Sequence, residues 1–165
     1  MLLKGLVDED IVNYRKTSMF LAFPHCSFKC GRENCQNQSL IEIPPVEVAA
    51  EDICRRYLNN PITSAIVCGG LEPLDSKYDI LSLIDCLRRQ FENNDDIVIY
   101  TGYTEEELSD PQNGELFSLF NNIKTYPNIV VKFGRYIPDE SHTPHLDEVL
   151  GIKLIGDNQY ARRIS

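Results

Sequence analysis

The run Ser18-Met19-Phe20-Leu21-Ala22-Phe23-Pro24-His25-Cys26-Ser27-Phe28-Lys29-Cys30-Gly31-Arg32-Glu33-Asn34-Cys35-Gln36-Asn37 sets the reading of this chain. Its first part, Ser18–Phe23, is a short apolar run of the kind that forms a buried strand. That strand feeds straight into a loop carrying Cys26, Cys30 and Cys35. Three thiolates on one loop can hold three corners of a soft-metal centre, and soft sulfur favours zinc, Cu(I) or an iron–sulfur cluster. A structural zinc site closes with four ligands. A four-iron cluster held by three cysteines leaves one iron open to a small molecule. A zinc site would need His25 or a distant residue as fourth ligand. His25 adjoins Cys26, and neighbours in an extended segment point apart.

Outward from the loop, strands and helices alternate. Leu2–Val7 reads as a first strand, and Pro44-Pro45 opens a helix through about Leu58, with Pro45 in its first turn. Ala65–Cys68 is a strand stopped by Gly69-Gly70. Asp75 or Ser76 caps a helix to about Phe91, with Ile80, Leu83, Ile84, Leu87 and Phe91 on one face. Ile97–Tyr100 is the next strand, and Thr104 followed by three glutamates marks a helix start. Gly114–Ile123 reads as a short helix, and Ile129–Phe133 and Ile152–Ile155 as the last two strands. This alternation argues for βαβ units in one domain, 1–165, with a mostly parallel sheet. Ligands of such sheets bind beyond the carboxyl ends of the strands. The cysteine loop, Gly69-Gly70, Thr101-Gly102-Tyr103, Gly134-Arg135 and Gly156-Asp157-Asn158-Gln159 all follow expected strands.

The 165 residues suffice for a real core, and 42% hydrophobic with 25% charged residues is ordinary for a soluble protein. No apolar run reaches the roughly 18 residues that span a bilayer. No secretory leader is expected, so the cytoplasm is the expected compartment, where six cysteines read as thiols or metal ligands. A net charge of −9 makes nucleic acid a poor partner. Asp8-Glu9-Asp10, Asp95-Asp96 and Glu105-Glu106-Glu107 read as solvated surface. Cys54, Cys68 and Cys86 read as core thiols, and His142 and His145 as surface residues. For Tyr160–Ser165 the sequence leaves a frayed tail and a partner contact equally open.

Together, Cys26/Cys30/Cys35, Gly69-Gly70-Leu71-Glu72-Pro73, Tyr100-Thr101-Gly102-Tyr103-Thr104 and Gly156-Asp157-Asn158-Gln159 resemble the radical S-adenosylmethionine (SAM) superfamily. Within it, the chain resembles the activating proteins of anaerobic ribonucleoside-triphosphate reductase. The resemblance implies a partial, open parallel β/α barrel and a 4Fe-4S cluster on the three cysteines. It implies that SAM chelates the fourth iron and is cleaved by one electron to methionine and a 5′-deoxyadenosyl radical. That radical takes a hydrogen from a glycine of the partner reductase. A flavodoxin-like or ferredoxin-like donor would supply the electron.

The implied SAM contacts are Gln36, Asn37, Gly69, Gly70, Glu72, Thr101, Tyr103, Lys132, Asn158 and Gln159. Phe28 would shield the cluster from water. The chain departs from the superfamily pattern at three places. The second and third cysteines are separated by four residues where two are usual, Asn34 stands where an aromatic residue commonly precedes the third cysteine, and Leu71 interrupts the usual Gly-Gly-Glu-Pro. These mark a divergent branch. Two other functions fit the residues: a radical SAM enzyme acting on a different protein or peptide, and a non-enzymatic zinc-stabilised binding module.

Overall fold

The computed structural model describes residues 1–138 and 143–165; His142 lies outside the described residues. In chain order the strands are β1 (Leu2–Leu3), β2 (Gly5–Asp10), β3 (Ser18–Phe23), β4 (Val46–Glu47), β5 (Ala65–Gly70), β6 (Asp96–Tyr100), β7 (Ile129–Phe133), β8 (His145–Asp147), β9 (Ile152–Leu154) and β10 (Tyr160–Arg163). The helices are α1 (Gln38–Ile41), α2 (Ala50–Leu58), α3 (Lys77–Asp85), α4 (Glu105–Ser109) and α5 (Glu115–Ile123). One open, mixed sheet of order β10-β7-β6-β5-β3-β2 organises them. Its four middle strands are parallel and both edge strands run antiparallel.

Strand register decides which side chains face which layer, because successive residues point to opposite faces. Leu21, Cys68, Ile99 and Val131 lie in register and belong to the larger core under the helices. Val67, Val98 and Val130 form the second face with Tyr14, Leu150, Leu154 and Ala161. The parallel strands are buried on both faces, as their near-continuous apolar runs require.

Ser18–Phe23 forms the expected strand with the expected bounds. Helix α3 presents Ile80, Leu83 and Ile84 to the core, and a π-helical turn, Cys86–Gln90, extends it with Leu87 buried. Thr104 caps α4 in a full capping box with Glu107. Cys54, Cys68 and Cys86 are buried thiols.

Several expectations are corrected. Leu2–Val7 is two strands, since Leu2–Leu3 pairs with Val46–Glu47 while Gly5 onward pairs with β3. That pairing, with the terminal ammonium donating to the Val48 carbonyl at 2.8 Å, keeps Val46–Glu47 extended. The helix expected from Pro45 therefore starts only at Ala50. Ile152–Leu154 pairs with β8 in a separate hairpin and does not join the main sheet. The sheet strand at that edge is Tyr160–Arg163, the stretch left open as tail or contact. Arg163 is fixed there by Asp96, which also accepts from Tyr14 and pairs with Lys16 at 2.6 Å. Asp96 and Asp10 are thus buried, not solvated, because each gathers donors that offset its desolvation. His145 is half-buried and hydrogen-bonded to the Gln159 carbonyl at 3.0 Å.

Gly69 and Gly70 fall inside β5, opposite Ala22 and Phe23, so they are strand residues and not a strand-to-helix turn. Gly70 has φ +90°, and a Cβ there would stand 2.7 Å from the Phe23 nitrogen and 2.8 Å from the Ala22 Cα. The glycine is required by the neighbouring strand, whatever ligand lies above it. Gly70→Ala is expected to destabilise even the cluster-free protein, by about 3 kcal/mol from left-handed strain and overpacking together. Urea denaturation checks this; an unchanged midpoint would contradict it.

Candidate metal centre and cleft

The carboxyl ends of β3, β5, β6 and β7 open on a cleft of about 490 Å³, within the range of small-molecule sites. Cys26, Cys30 and Cys35 all line it. So do Gln36 and Asn37, Gly69 to Glu72, Thr101, Lys132 and Gln159. Tyr103 does not; it lines a smaller cavity of about 40 Å³ together with Cys26, Cys30, Glu72, Gly102 and Arg135. Asn158 stands outside both, and its amide donates to the Arg135 carbonyl at 2.9 Å. The turn Gly156–Gln159 thus reaches the site by leading into β10, and not as the end of a parallel strand. A Cβ on Gly134 (φ +93°) would meet the Asn158 carbonyl oxygen at 2.4 Å, so that turn packs directly on the end of β7.

The cysteine loop is tied to its surroundings along its length. The Glu72 amide donates to the His25 carbonyl at 2.8 Å. Asp75 accepts from the Ser27 amide at 2.5 Å and from the Tyr103 hydroxyl at 2.7 Å. The Asn37 amide donates to the Gly70 carbonyl at 2.6 Å, so Asn37 joins the loop's far end to the glycine pair. Lys4 caps the following α1 by donating to the Leu40 and Ile41 carbonyls at 2.6 and 2.8 Å. Asn34 turns inward and donates to the Cys30 carbonyl at 3.1 Å.

Each of the three ligand-candidate thiols is half-buried. Burial pushes the Cys26 thiol up to about 11, against the lowering effect of the Phe28 amide, which donates to its sulfur at 3.2 Å. Burial and the neighbouring Cys35 raise Cys30 as well. Thiolates here would therefore need a cationic partner, as a bound metal provides. Three sulfur donors on one loop, opening on one cleft and with an amide aimed at one sulfur, fit a 4Fe-4S cluster. Among the described residues, no three His, Cys, Asp or Glu side chains converge as they would around a single ion. His25 is exposed.

Glu72 is the buried hub. Its carboxylate accepts from the Leu74 amide at 3.1 Å, the Thr101 hydroxyl at 2.9 Å and the Gly102 amide at 2.8 Å. Burial nevertheless outweighs these donors and lifts its pKa to about 7. Thr101 is thereby occupied with Glu72 and the Tyr103 amide. Lys132 is buried, not solvent-facing, and donates to the Gly134 carbonyl at 2.7 Å. Burial lowers its pKa to about 8, while the Glu72 charge pulls it up.

Sequence reasoning missed Asn13, Phe20, Tyr100 and Tyr136 among the lining residues. Strand parity carried a signal for two of them. Phe20 pairs with Val67 and Tyr100 with Lys132, which puts both on the Lys132 face. Asn13 lies far off in sequence and is brought in by the Tyr100 hydroxyl, which donates to its carbonyl at 2.6 Å.

A carboxyl whose pKa is raised by folding contributes stability that is full below its ordinary 4.5 and is lost as pH rises through about 7. Lys132, lowered on folding, has the opposite slope in a higher window, between about 8 and 10.5. Cluster-free protein is therefore expected to lose stability relative to Glu72→Gln between about pH 5 and pH 7. Denaturant curves across that range check it; parallel pH dependence of the two proteins would contradict it.

No helix among the described residues is long and apolar enough to cross a membrane. No curated protein and no solved structure matches the chain. The model of the 4Fe-4S single cluster domain family matches residues 15–145, a span holding all three loop cysteines, Glu72 and Lys132. The match covers most of the chain, including the loop whose three thiols line one cleft, so the chain is an iron–sulfur protein and belongs to the 4Fe-4S single cluster domain family.

Proposed function

We propose that this protein is a radical SAM activase that generates a glycyl radical on a partner enzyme, anaerobic ribonucleoside-triphosphate reductase being the partner its motifs suggest. The observation that carries this reading is the cleft itself. Three thiols of a single loop share it with a glycine pair, a buried carboxylate and a buried lysine at adjacent strand ends. Three ligands for a four-iron cluster leave room for a substrate at iron. In this reading the parallel strands β3, β5, β6 and β7 are the wall of a partial, open barrel, and the protein works in the cytoplasm.

Cys26, Cys30 and Cys35 would hold the cluster, which supplies one-electron cleavage of SAM to methionine and a 5′-deoxyadenosyl radical when reduced by a flavodoxin-like or ferredoxin-like donor. The chain's own residues bind, orient and exclude water. Lys132 offers a buried cation suited to a carboxylate, with Glu72 beside it to keep it charged. The exposed amide of Gln36 and the half-buried amide of Gln159 offer neutral donors and acceptors at the rim. Phe20 and Tyr100 give the cleft apolar walls against which a flat ring can lie. Phe28, half-buried beneath the Arg32 guanidinium at 5.3 Å, would shield the cluster from water. The substrate hydrogen would lie on another protein's backbone, so the open mouth of the cleft would face that partner.

Anaerobic reconstitution with iron and sulfide, reduction and addition of SAM is expected to yield 5′-deoxyadenosine, quantified by chromatography. Cys30→Ala is expected to lose the cluster and all product while keeping most of its far-ultraviolet circular dichroism. A fully loaded cluster that makes no 5′-deoxyadenosine, even with the reductase present, would overturn the reading. So would full iron and sulfide in Cys30→Ala.

A further inference from the structure

Glu107 lies on α4, outside the cleft and with no part in the resemblance, yet three elements of the site meet on its carboxylate. One oxygen accepts from Lys29 at 3.3 Å, and Lys29 lies between the ligands Cys26 and Cys30. The other accepts from Arg135, and from the Thr104 amide at 2.9 Å. Arg135 in turn donates to the Gly102 carbonyl at 3.0 Å and lines both the cleft and the small cavity that Cys26 and Cys30 also line. The Lys29 ammonium also stands 4.6 Å from the centre of the Tyr103 ring. A lone exposed ion pair contributes little. This one differs because two cations share a single carboxylate, which is about a quarter exposed. Without that charge, Lys29 and Arg135 are like charges side by side, and the strain falls on the exposed stretch around Lys29, between the loop's ties at Ser27 and Asn34.

We propose that Glu107 is a positioning residue for the iron–sulfur centre: through Lys29 it clasps the Cys26–Cys30 half of the loop shut, and through Arg135 it ties that closure to the cleft wall. The proposal rests on cluster ligation by the three loop cysteines. The clasp limits the access of water and oxygen to the Cys26–Cys30 stretch. It also gives a role to one member of an acidic run that reads as plain solvated surface.

Glu107→Gln is the discriminating variant. Glutamine keeps the shape and can still complete the capping box, so α4 stays formed, but it cannot neutralise two cations. Glu106→Gln removes the same charge from the same turn at an exposed position. Amide hydrogen exchange in residues 26–35 of the cluster-free protein is expected to speed up about fivefold in Glu107→Gln. Exchange in α2 and α3 should stay unchanged, and Glu106→Gln should match the wild type. Lys29→Met should reproduce the effect, Lys29→Arg should not, and the Glu107→Gln/Lys29→Met double variant should add nothing further. In the loaded protein, bleaching of the cluster in air should accelerate with the same pattern. Wild-type exchange in Glu107→Gln, or equal acceleration in Glu106→Gln, would overturn the proposal. Because the exchange measurement needs no cluster, it decides the clasp even if iron loading fails, an outcome that would overturn the cluster reading alone.

Discussion

The site depends on one carboxylate kept out of water. Glu72 is almost fully buried, and its three donors come from the turn after β5 and the turn after β6. Its own amide holds the first residue of the cysteine approach through the His25 carbonyl. Lys132, on the next strand, feels its charge. Four neighbouring strand ends are thus referred to one buried group. Such a group is costly to desolvate and more costly to leave unsatisfied, so the turns that satisfy it are held in place. A cluster loop fastened to that frame inherits its order.

Around this hub the electrostatics are layered. Close to the cleft, burial works against charge, raising the Cys26 thiol and Glu72 and lowering Lys132. The site so prepared disfavours bare thiolates, so a metal that binds there must displace their protons. Farther out, partial burial raises Glu107, but hydrogen bonds from Arg135, the Thr104 amide and Lys29 outweigh it and hold its carboxyl at about 2. The inner ring is a binding environment, and the outer ring fastens loops.

Much of the fold was legible because its central strands are short apolar runs ended by glycine or polar turns. Ser18–Phe23 and Ile129–Phe133 stand as read. The capping box at Thr104 was legible for the same reason, since it is purely local. Misread elements are those whose state is set by distant partners. Val46–Glu47 is extended because the N-terminus pairs with it, and Tyr160–Arg163 is a strand because β7 has a free edge and Asp96 holds Arg163. Ile152–Leu154, equally strand-like in composition, is used in a hairpin. The cysteine loop was visible in the sequence as three cysteines within ten residues directly after an apolar strand. The ties that Glu72, Asp75 and Glu107 make to the loop were not, because each spans tens of residues in sequence.

A four-iron cluster held by Cys26, Cys30 and Cys35 would leave its remaining iron open to SAM. Mössbauer spectroscopy of protein reconstituted with isotopically enriched iron, recorded with and without SAM, tests it most directly. One iron subsite is expected to shift on SAM addition while the other three stay as they were. A cluster whose iron subsites all ignore SAM, or a protein that takes up zinc and no iron, would contradict it.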